Sequence, residues 1–183
     1  MYRRILISLV AIGILASFLG LGGLSLFTAS TDNDGNTFTT GSVDISTNPA
    51  NSFLTMSPMA PGDSVTAQLT VSSGTSTLDL RYAMTTAATN TDGLNLRDAL
   101  TLEIRTLGTN CATFDGSQLY TGTLAGGAIG DPAQGQQFGD RPLAAGGSEV
   151  LCFKVDFPIG ATGPEGATTT ATFTFAAEQT KNN

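Results

Sequence analysis

The stretch SVTAQLTVSSGTSTLDLRYAMTT, Ser64–Thr86, decides how the chain is read. Val65, Ala67, Leu69 and Val71 alternate with Thr66, Gln68 and Thr70. After the turn signal SSGTS, Leu78, Leu80, Tyr82 and Met84 alternate with Asp79, Arg81 and Ala83. A side-chain period of two marks half-buried antiparallel strands with one wet face. The pattern recurs outward from there. LTLEIRT places Leu100, Leu102 and Ile104 on one side, VLCFKVDF places Leu151, Phe153, Val155 and Phe157 on one side, and ATFTFAAEQ repeats it with Phe173 and Phe175. Further turns are expected at APGDS, TDGLN, FDGSQ and GPEGA. DGLNLRDAL reads as one short helical turn between strands, and residues 126–148, GGAIGDPAQGQQFGDRPLAAGGS, read as a long surface loop. The expected fold is all-β, a two-sheet antiparallel jelly-roll sandwich with one short helix.

Composition agrees. A chain of 183 residues suits one domain. Only 13% of residues are charged, which favours a sandwich whose wet face carries hydroxyls. The net charge of −7 excludes the phosphate-binding footprint of a nucleic-acid partner. There is no histidine, which removes the commonest general base and the commonest zinc ligand together.

The first 25 residues, MYRRILISLVAIGILASFLGLGGLS, have the parts of a secretory signal: Arg3 and Arg4, an apolar run from Ile5 to Leu21, then Gly23 and Ser25 ahead of cleavage between Ser25 and Leu26. The alternative is a retained membrane anchor, since the run is long enough to span a bilayer. Both readings export the domain, and membrane contact is expected only through this segment. Export gives Cys111 and Cys152 a meaning. They form a disulfide, expected at the surface because Cys152 lies opposite the apolar face of its strand, or they remain two free thiols.

Catalytic and metal motifs fail one by one. Asp32, Asp34 and Asn36 begin like a calcium loop, but Thr37 stands where the glycine belongs and Val43 where the glutamate belongs. HExxH is impossible, no GxSxG occurs, and no active site, metal or cofactor is expected.

The order of motifs says more. A leader-like segment, then LFT, six polar residues, GNTFTTGSVDIS and MAPGDSVTAQLTVSSGTSTLDLRYAM, then LNLRDALTLEI, LYTGTLA, LAAGGSEVLCFKVDFP and ATFTFAAEQT, resembles the TasA/camelysin family of exported fibre proteins over nearly the whole chain. The resemblance implies processing by a dedicated signal peptidase and a jelly-roll domain that polymerises into extracellular or biofilm-matrix fibres, with copies of itself as partner. It also gives LFTASTDNDGNTFTTGSVDIS, Leu26–Ser46, a role. Residues 1–25 would be the leader and 26–36 an extended donor segment beginning Leu26, Phe27, Thr28 and Ala29, with Leu26 and Phe27 as apolar anchors and 28–36 as reach. Residues 37–183 would form the domain, opening on the strand TFTTGSVDIS. The alternative for 26–36 is a plain disordered leader. Two rival functions are a camelysin-like secreted protease and a type IV pilin-like subunit that keeps its apolar helix. N-terminal sequencing of the secreted protein separates a start at Leu26 from one near Ile5 or at Met1.

Overall fold

The computed structural model of the protein describes residues 2–3, 39–161 and 165–181. The sandwich belongs to the compact unit Thr40–Asn183. Its strands are β1 (Ser46–Asn48), β2 (Ser64–Ser72), β3 (Leu80–Ala88), β4 (Thr101–Thr106), β5 (Gln118–Thr123), β6 (Ala128–Ile129), β7 (Arg141–Leu143), β8 (Ser148–Asp156) and β9 (Ala171–Gln179). One four-residue helix, α1 (Leu96–Ala99), lies in the stretch expected to turn helically. The first sheet has the order β1-β2-β8-β4-β5, and in the second β3 is flanked by β6 and β7 on one side and β9 on the other. All these pairings are antiparallel. The described residues between 39 and 181 are therefore mostly β, with two antiparallel sheets and one short α-helix.

The period-two pattern sets the core. Leu69 and Val71 of β2, Leu80, Tyr82 and Met84 of β3, Leu102 and Ile104 of β4, and Leu151 and Phe153 of β8 are all but fully buried between the sheets. Burying one such side chain contributes about 1.5–3 kcal/mol, so this layer is the main stabiliser of the sandwich.

Four sequence expectations need correcting. TFTTGSVDIS does not form a strand along its length: residues 39–45 are outside any strand and β1 begins only at Ser46. That segment is tied down by irregular bonds instead. Ser42 donates its N–H to Thr77 Oγ1, Asp44 donates to Ser76 Oγ, and Ser76 Oγ donates back to the Asp44 carbonyl.

The wet face expected on β3 is dry around Arg81 and Ala83, which are 8% and 3% exposed. The glycine-rich stretch folds over them. It is not structureless, since it contains β6 and β7. Asp140 accepts the N–H groups of Asp131 and Gln137, Asp131 accepts that of Ala133, and Glu178 accepts that of Gly135 and pairs with Arg81. The small Ala83 and Ala176, opposite each other across the ladder, leave room for this cover.

The Cys111–Cys152 disulfide forms, closing 41 residues of chain, but it is not at the surface. Cys152 is 1% and Cys111 8% exposed. Cys152 does point away from the core, yet residues 107–117 cross the outer face of β8 and bury it. At the neck of this loop Gly116 lies so close to Thr106 of β4 that a Cβ would overlap the Thr106 carbonyl oxygen.

Candidate functional site

The sandwich is closed on one long side and open on the other. β1 pairs only with Thr70–Ser72 of β2, so Ser64–Leu69 has β8 on one side and, among the described residues, no strand on the other. In the second sheet the nine-residue β9 pairs, among the described residues, with β3 alone. Two sheet edges therefore run unpaired beside the same interior.

Between them lies a groove of about 1000 Å³, with Val65, Leu69, Phe157, Phe173 and Phe175 in its wall. Glu165 is the one charged side chain among its described lining residues. The apolar part of this wall suits apolar side chains, and the edges offer backbone groups for pairing; a single carboxylate is too few ligands to hold a metal ion. At its mouth Asp92 fixes the approach to β9. Its carboxylate accepts the Thr168 N–H at 2.6 Å and the Leu94 N–H at 2.9 Å. These bonds, the one from Thr168 foremost, hold the Asp92 carboxyl below the ordinary aspartate value.

The most deeply buried ionisable cluster lies elsewhere and is closed. Tyr82 donates its hydroxyl proton to Glu149 at 2.7 Å, and Arg141 forms an ion pair with the same carboxylate. Burial, followed by the bond to Glu149, pushes the Tyr82 hydroxyl well above the usual tyrosine range. Glu149 in turn raises Arg141. The trio joins β3, β7 and β8 and so ties one sheet to the other. None of the three lines the groove between the two edges, and the trio reads as a structural clasp.

The structure brings Cys111 and Cys152 together as expected. Ser25, Leu26, Phe27, Thr28, Ala29, Asp32, Asp34 and Asn36 lie outside the described residues. Sequence reasoning missed Phe53, Leu54, Met56 and Met59, which border the groove. Their signal was present in NPANSFLTMSPMAP, an apolar run interrupted by prolines that fits neither a strand nor a helix period. No helix among the described residues is long and apolar enough to cross a membrane.

A two-sheet β-sandwich, pinned by one disulfide and left with an open apolar edge, is the class that fold and groove define. A family profile described as camelysin metallo-endopeptidase matches residues 1–105, more than half of the chain, and the protein belongs to that family. No curated protein matches it. The family's description implies a metal, and the described side chains do not fit one. The sequence has no histidine, both cysteines are consumed in the disulfide, and no three Cys, Asp or Glu side chains among the described residues converge on a common point.

Proposed function

We propose that the protein is an exported structural subunit that polymerises head-to-tail into a fibre, the N-terminal strand of one copy completing the sandwich of the next. The observation that carries this reading is the pair of unpaired edges, Ser64–Leu69 and β9, beside one apolar groove. An added strand gains main-chain hydrogen bonds from an edge and buries its apolar side chains in the groove. Because donor and acceptor are different surfaces, the contact is heterologous and repeats without closing, which yields a filament. Leu26 and Phe27 are the anchors on the donor side, and residues 28–36 supply reach.

The leader-like first 25 residues and the family resemblance support cleavage before Leu26 by a dedicated signal peptidase and a place outside the cell, as matrix or surface fibre. The jelly-roll description of the sandwich belongs to this reading, as does the absence of catalysis: the donor set fits no protease metal.

Deleting residues 26–35 tests the proposal. The expected product is a soluble, β-rich monomer that no longer forms fibres by electron microscopy, because the deleted contacts are made with another chain. Fibres of normal length and number from the truncated protein would refute strand donation.

A further inference from the structure

We propose that residues 49–59 are a displaceable cover, holding in the single subunit the apolar seat that an incoming strand takes. This rests on the strand-donation reading and adds which segment must leave and which surface the newcomer meets.

The cover, PANSFLTMSPM, joins β1 to β2 across the open side of the sandwich. Phe53, Leu54 and Met59 pack on the core from outside, and Met56 lines the groove beside them. The Phe53 ring stands 5.0 Å from Phe153 of the first sheet and 5.2 Å from Phe173 of the second. It therefore bridges the two sheets at the point where a strand between their edges would pass.

The backbone of the cover does the opposite of what its side chains do. Among the described residues, no N–H or carbonyl of residues 49–59 makes a hydrogen bond to another protein group, although both neighbouring edges offer unpaired partners. Proline explains part of this. Pro49 and Pro58 lack an N–H, and with Pro61 they keep the segment from lying down as a regular edge strand. Only the two ends are fastened. The Ala60 N–H is accepted by Asp63 and the Gly62 N–H by the Phe157 carbonyl, while β1 anchors the near end. The segment is an arch, fixed at its feet and held down by three half-buried side chains, Phe53, Leu54 and Met59.

An incoming strand would offer equivalent apolar side chains and, in addition, main-chain bonds along six residues of β2 or nine of β9. The exchange favours the strand. Until it arrives, the cover screens Phe153 and Phe173, which a bare groove would expose to non-specific association.

The test uses the full mature protein from Leu26, kept dilute enough to stay monomeric, and a labelled peptide of residues 26–36. Peptide affinity is read by anisotropy, and chymotryptic cleavage at Phe53, Leu54, Met56 and Met59 by mass spectrometry. Bound peptide is expected to speed cleavage at these sites. Phe53→Ser is expected to tighten peptide binding about tenfold by removing the competing anchor. Met59→Ser, which removes a core contact outside the ring cluster, should tighten it less and guards against a misfolded Phe53 variant. If the peptide binds while cleavage and both variants' affinities stay unchanged, the cover proposal is overturned and strand donation stands. If the peptide binds neither wild type nor variants, strand donation fails and the cover proposal falls with it.

Discussion

Residues 49–59 and residues 107–117 are two segments of eleven residues that both lie across the sandwich, and they are held by opposite means. The second is fastened through its backbone and a covalent bond. Leu107 donates its N–H to the Val150 carbonyl, Phe114 donates to the Asn110 carbonyl, Asp115 accepts from the N–H and hydroxyl of Thr109, and Cys111 is bonded to Cys152. The first has only apolar side chains against the core. A segment whose polar backbone is satisfied by the protein loses those bonds when it moves. One whose backbone is already satisfied by water loses none, and any better-bonded chain can replace it.

The strongest way to break this comparison is amide hydrogen exchange. The amides of Phe53, Leu54, Thr55 and Met56 are expected to exchange at least about a hundredfold faster than that of Leu107, since no protein acceptor protects them. Protection in residues 49–59 equal to that of Leu107 would remove the distinction.

Next in size is the covalent tie. Replacing Cys111 and Cys152 together with alanine is expected to cost about 4 kcal/mol in urea unfolding, from the entropy of an unclosed loop in the denatured chain. The same double variant should raise exchange in residues 107–117 and leave residues 49–59 as they were. A loss shared equally by both segments would mean that the disulfide stabilises the whole sandwich without singling out its own loop.

The smallest expected effect sharpens the contrast by pH. The side-chain bond from Thr109, then the Thr109 N–H, holds the Asp115 carboxyl below its ordinary value of 3.8. A depressed folded value means that the ionised carboxylate favours the folded state, a contribution present above pH 3.8 and lost as pH falls through the folded value. Asp115→Asn is expected to flatten the acid limb of the stability curve slightly and to leave it unchanged near neutrality. Because the group is exposed, the change is small; an acid limb identical to wild type would show that the Asp115 cluster adds nothing to the hold on residues 107–117.

Much of this was legible in the residues. Alternation in SVTAQLTV, LTLEIRT and ATFTFAAEQ places β2, β4 and β9 within a residue or so of their observed bounds, because a strand with one buried face must repeat every two residues. LNLRDAL announced α1, and two cysteines in a chain read as exported announced their own pairing. The two misjudged exposures, at Cys152 and at Arg81 and Ala83, share one cause. Alternation describes a strand against a single core, and in this chain loops add second contacts: residues 107–117 bury Cys152 and residues 130–140 bury Arg81 and Ala83.

The order of hydrophobic and hydroxylated residues thus determined the strands, the turns and the class of fold, since these depend on spacing along the chain. Which edges stay unpaired, where β1 stops, and that NPANSFLTMSPMAP lies over Phe153 and Phe173 were decided only by the tertiary structure. Those are relations between segments 20 to 120 residues apart, and they depend on which surfaces meet once the two sheets have closed on each other.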